Sequence, residues 1–144
     1  IVICGTGLVA MALAELATRF DFKVLAHAAV RTDLNTKVTQ GFDFDTCNFV
    51  VVATQGNGDI EALRAAVSGG FRYVSFVGSR RKFDAIAAKL VAENPTLEPY
   101  LKKVNAPAGL SINAITPDEI AMSILAEITQ LRRANFAIRD NGDV

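Results

Sequence analysis

The chain of 144 residues has one histidine, two cysteines, four prolines and no excess of either charge, with 15 Lys plus Arg against 15 Asp plus Glu. Each shortage removes a class of function. Cys4 and Cys47 stand far apart and in no CxxC or zinc-ligand spacing, so both read as buried reduced thiols rather than as a disulfide framework or metal site. His27 has no Asp, Ser or Cys partner at a known spacing and reads as a turn residue rather than a catalytic base. Balanced charge provides no global field for nucleic acid or an anionic membrane, so any anion site must be local. No apolar run reaches the length of a membrane span and no secretory leader opens the chain, which makes the cytoplasm the expected compartment. GxSxG, Walker A and HExxH patterns are missing too. Tyr100 is followed by Lys102 and Lys103 rather than by a lysine four residues on, so the tyrosine-lysine pair of short-chain dehydrogenases is not matched.

What is present is apolar periodicity. A hydrophobic content of 51% suits one compact domain over residues 1–134, burying about two-thirds of its unfolded surface, with a polar tail at 135–144. Ile1 to Cys4, Phe22 to Ala26, Phe49 to Ala53, Tyr73 to Val77 and Leu110 to Ile112 read as strands, and Arg31 to Phe44 as a long connection. Ile1 already reads as strand interior, so the chain is expected to be a portion of a longer protein. Helical stripes follow at Leu8 to Ala17, Asp59 to Val67, Phe83 to Leu90 and Ile120 to Leu131, with a short helix over Thr96 to Val104. Thr116-Pro117-Asp118-Glu119 combines a hydroxyl N-cap, proline at the first helical position and Glu at the capping-box position. The alternation predicts an α/β fold: a doubly wound, Rossmann-like parallel sheet of about five strands.

In such sheets ligands collect beyond the carboxyl ends of the strands, and three glycine-bearing turns fall there. Gly5-Thr6-Gly7-Leu8-Val9-Ala10 follows the first strand and opens a helix, the context in which GxGxxA accommodates a diphosphate; the alternative is a tight turn that serves the fold. Thr54-Gln55-Gly56 follows the third strand. Gly78-Ser79-Arg80-Arg81-Lys82 puts three cations at a helix start, where the dipole disfavours each by about 0.3–1 kcal/mol unless an anion sits nearby. Either a bound phosphate supplies that charge, or the cations pair with Asp84 or a neighbouring acid. The acid that holds the ribose of NAD after the second strand is missing: the chain reads Val24-Leu25-Ala26-His27-Ala28, and Arg31, a few residues beyond the strand, reads as solvent-exposed rather than as a contact to a ribose phosphate.

Three segments carry a family resemblance: Gly5 to Ala10, Tyr73 to Lys82, and Ala106-Pro107-Ala108-Gly109-Leu110-Ser111-Ile112-Asn113-Ala114-Ile115-Thr116-Pro117-Asp118-Glu119 on to Ile128. They resemble the C-terminal Rossmann-type domain of the XdhC/CoxI family, the accessory proteins of molybdenum hydroxylases. Val52 to Asp59 resembles the form of that turn in the carbon monoxide dehydrogenase branch. The resemblance implies a maturation factor, a cofactor-binding chaperone rather than an enzyme. Such a factor binds molybdenum cofactor (molybdopterin or its cytidine dinucleotide), assists its sulfuration, and hands it to a xanthine or carbon monoxide dehydrogenase apoenzyme. The cofactor-binding candidates are then Gly5, Thr6, Gly7, Leu8, Val9, Thr54, Gln55, Gly56, Gly78, Ser79, Arg80, Arg81 and Lys82, with Arg80 or Arg81 giving a bidentate grip and Lys82 a less oriented charge. Many relatives carry Asp-Pro where this chain has Ala28-Ala29, and the family's N-terminal domain is not in this sequence. NAD(P) binding by an oxidoreductase or redox sensor is the competing expectation, and a pure interaction module is a third. The exposed part of the Thr116 to Arg133 helix is a candidate surface for a homodimer.

Overall fold

The computed structural model describes residues 1–27, 49–69 and 71–140, with the backbone alone for 26, 27 and 135–140. Cys47, Arg31, the Ala28-Ala29 position and the connection over 31–44 lie outside the described residues. In chain order the elements are β1 (Val2–Cys4), α1 (Leu8–Arg19), β2 (Leu25–His27), β3 (Phe49–Val52), α2 (Asp59–Ser68), β4 (Tyr73–Phe76), α3 (Arg80–Glu93), a 3₁₀ turn (Pro95–Leu97), α4 (Glu98–Leu101) and α5 (Pro117–Asp140). All four strands run parallel in the order β2-β1-β3-β4.

The register explains the continuous apolar runs. Val2, Val50 and Val74 stand in one row across the sheet, and Cys4, Val52 and Phe76 in another. These residues face a core made with Leu63 of α2, Ile86 and Leu90 of α3 and Leu101 of α4. Ile1, Ile3, Val51, Ala53 and Tyr73 point the other way, against Leu13 and Ala17 of α1 and Ile124 and Ile128 of α5. Both faces of every central strand are therefore dry, and each fully buried Val, Ile or Leu contributes about 1.5–3 kcal/mol by burial. Cys4 is buried as expected, and burial pushes its thiol up to about 11, so it is a packing group rather than a nucleophile.

Five strands were expected, and the described residues hold four. Leu110 to Ile112 forms no strand: Leu110 and Ile112 are 37% and 44% exposed, and Gly109 at φ 92 turns the chain away from the sheet. The place beside β4 is taken instead by Asn105, which bridges to Ser75, its N–H donating to Val74 O (3.0 Å) and its carbonyl accepting from Phe76 N (2.9 Å). An alternating triplet was mistaken for a strand because nothing local reveals which residues find a sheet edge.

The helix signals translate directly. Thr116 Oγ1 accepts from Glu119 N (3.2 Å), while Glu119 Oε2 accepts from Thr116 N (2.9 Å) and Ile115 N (2.8 Å), the reciprocal capping box. Those backbone donors, Thr116 first, hold the Glu119 carboxyl below its ordinary range. The helix they start continues through Asp140, six residues into the stretch expected as a polar tail.

Candidate functional site

Because the strands are parallel, all three glycine turns open at one edge of the sheet. At Gly5, φ is 126 and an added Cβ would lie 2.2 Å from Ala53 O, so β1 approaches β3 too closely for any side chain. Gly7 is the N-cap of α1 and brings no side-chain cap, and no acid stands in the first turn. The unpaired amides at that helix start therefore favour an anion. Val9 is buried in the core and Leu8 is 68% exposed, so only their backbone groups belong to this feature. Thr6 is exposed at the rim. Gln55, itself at φ 49, lays its side chain against Gly7, where an added Cβ would meet Oε1 at 2.2 Å.

The turn after β3 and the turn after β4, the third and fourth turns when numbered by strand, are tied by a carboxylate that sequence reasoning passed over. Asp59, the first residue of α2, is 7% exposed and takes three partners: Oδ1 accepts from Thr54 Oγ1 and from Gly56 N (2.9 Å), and Oδ2 meets Lys82 Nζ at 2.7 Å. Burial would raise its pKa, but Lys82, Thr54 and Gly56 together outweigh burial and hold the carboxyl below the usual range. Thr54 and Lys82 therefore spend their polar groups on the scaffold. The signal was a Thr five residues ahead of an acid that follows a glycine, a weak pattern until the fold closes it.

At the fourth turn Ser79 caps α3, its Oγ accepting from Lys82 N (3.1 Å). Arg80 is also engaged: Nε meets Asp84 Oδ1 at 3.2 Å, NH1 donates to Ala106 O at 3.2 Å, and the guanidinium lies 5.5 Å from the Phe83 ring centre. The acid partners foreseen as the alternative to an anion are thus present for Arg80 and Lys82. Arg81 is exposed and has no ion-pair or hydrogen-bond partner among the described residues. Of the three cations, it alone leaves its charge unbalanced at this helix start. Gly78 is bare because a Cβ there would stand 2.6 Å from the Phe76 ring.

Beyond the fourth turn, residues 107–114 lie over the edge and are held by α5. Glu127 Oε2 accepts from Tyr73 Oη (2.5 Å) and Gly109 N (2.9 Å), joining strand, loop and helix through one carboxylate. Burial first, and the hydrogen bond to Glu127 second, push the Tyr73 phenol well above its ordinary range.

A doubly wound parallel sheet with glycine turns gathered at its carboxyl edge defines a Rossmann-type α/β domain. The XdhC Rossmann domain family matches residues 1–128, and the chain belongs to that family. It is 30% identical over 148 aligned residues to YqeB of Escherichia coli strain K12, covering 92% of this chain and 27% of that protein. It shares its fold with a solved xanthine dehydrogenase from Bacillus halodurans, with a TM-score of 0.67 and 24% identity over 92% of this chain and 42% of the other. The chain thus spans less than half the length of either relative. Among the described residues, no helix is long and apolar enough to cross a membrane.

Proposed function

We propose that this domain is the phosphate-holding part of an accessory factor for a molybdenum hydroxylase, with xanthine or carbon monoxide dehydrogenase as client. It binds molybdenum cofactor, as molybdopterin or its cytidine dinucleotide, and assists sulfuration or insertion into the apoenzyme. The observation that carries the reading is the pairing of an uncapped, acid-free α1 start with an uncommitted Arg81 on the same edge of the sheet. Family membership and the fold shared with the Bacillus protein support it.

The residues fit a phosphate-bearing group. The start of α1 offers backbone N–H donors with no acid among them, and Arg81 supplies a bidentate positive head, while the space a side chain at Gly5 or Gly7 would fill is taken by Ala53 O and by Gln55. When bound, the cofactor supplies the molybdenum and dithiolene chemistry of the client. The chain's own part is to grip and orient: α1 amides take phosphate oxygens, Arg81 balances their charge, and the Asp59 to Lys82 pair holds the third turn in shape for Gln55 and Gly56 to border the site.

Thermal denaturation with added ligand tests this. Molybdopterin cytidine dinucleotide, or CDP as its nucleotide part, is expected to stabilise the domain by about 2.7 kcal/mol at a hundred times its Kd, and Arg81→Ala to weaken binding about tenfold. A larger shift with NADH or NADPH than with CDP would favour the oxidoreductase. No response to any phosphate ligand would leave only the interaction module.

A further inference from the structure

A second feature at the same edge is a half-open cavity of about 410 Å³ between the fourth turn and the loop over residues 107–114. That volume lies within the range of small-molecule sites, roughly 300–1,000 Å³. Val77, Pro107, Ile112 and Ile120 contribute apolar lining, and Gly78 forms part of the wall while standing next to the Ser79 cap of α3.

The loop is pinned at both ends and open between them. Ala108 N donates to Phe76 O (2.9 Å), Gly109 N to Glu127 and Leu110 N to Ser123 O (3.1 Å); further on, Ile115 N and Thr116 N donate to Glu119. Residues 111–114 line the cavity, and their backbone N–H groups have no partner within the described residues. Asn113 sits among them in the left-handed region at φ 58 with a free side-chain amide. An apolar slot bordered by unpaired amide groups suits a flat ring with a hydrogen-bonding edge better than a hydrocarbon chain, which would strip water from those amides and return nothing.

We propose that this cavity holds a planar nitrogen heterocycle with an amide-type edge, either a pterin or a cytosine, belonging to the ligand whose phosphates are held at Arg81 and α1. The assignment rests on the phosphate reading above and adds which end of that ligand goes where. The ring lies against the apolar lining and its edge is read by the amides of 111–114. Gly78, which borders the cavity, stands three residues before Arg81, the cation of the phosphate reading.

Calorimetric titration with three probes separates the parts: 6-hydroxymethylpterin, cytidine, and inorganic pyrophosphate, each up to millimolar concentration. One of the two heterocycles is expected to bind, and Ala114→Trp, which fills the cavity, to weaken it at least tenfold while pyrophosphate affinity stays within twofold. Ser111→Pro removes one amide and serves as the second variant if the first fails to fold, as judged by circular dichroism. Arg81→Ala is expected to do the reverse, weakening pyrophosphate and sparing the ring. Heterocycle binding unchanged in a folded cavity variant overturns the cavity assignment, as does pyrophosphate binding with no response to either ring. Ring binding without pyrophosphate binding supports the cavity and sinks the phosphate reading. Silence from all three probes overturns both.

Discussion

Replacing Asp59 by Asn tests whether the third and fourth turns are held together by charge. Asn keeps an acceptor for Thr54 Oγ1 and Gly56 N but turns a donor toward Lys82 Nζ, which stands 2.7 Å from the present Oδ2. A hydrogen bond to a charged group contributes about 1.5–3 kcal/mol, and a fully buried pair more, but Lys82 is 42% exposed and water screens part of the attraction. The expected loss is about 2–3 kcal/mol, or a fall in Tm of roughly 6–10 °C for a domain of this size. Its pH dependence has a definite sign. The folded-state pKa of Asp59 is depressed, so its contribution is complete above the unfolded value of ~3.9 and is lost as pH falls through the folded value. Urea denaturation followed by far-ultraviolet circular dichroism should show the full gap between wild type and Asp59→Asn at pH 7, narrowing once the pH drops below about 4. Equal midpoints at pH 7, or a gap that persists undiminished in acid, would refute the reasoning.

Two further changes probe the frame around the site. Gly5→Ala combines φ 126 with a Cβ 2.2 Å from Ala53 O, so it should cost more than ~3 kcal/mol, and a loss below ~1 kcal/mol in urea denaturation would contradict the close approach of β1 and β3. Tyr73→Phe leaves Glu127 Oε2 with Gly109 N as its remaining donor and should cost about 1–2 kcal/mol at neutral pH. Since the folded phenol is raised, its contribution persists below the unfolded value of ~10 and is lost as pH rises through the folded one; tyrosinate absorbance from Tyr73 at its ordinary pH would speak against the contact.

The elements were legible because they depend on local pattern. Phe49 to Ala53 is β-branched and continuous, so it reads as a strand covered on both faces, and it is one. Thr116 to Glu119 carries its cap within four residues, and the cap forms there. Leu110 to Ile112 has the right alternation yet sits outside the sheet, because the place beside β4 went to Asn105.

Pairing of charges was not legible in the same way. Arg80, Arg81 and Lys82 differ in the shape of their charged groups but carry the same sign, and only the i to i+4 position of Asp84 pointed to a partner for Arg80. Placing β4 beside β3 brings the start of α3 to the start of α2, which gives Lys82 to Asp59 and leaves Arg81 open. The order of residues thus determined the strands, helices and glycine turns, since periodicity and backbone freedom act over a few positions. Which cation stays free, which acid is buried and where the cavity opens were decided by the tertiary structure, because these depend on residues far apart in the chain meeting at one edge of the sheet.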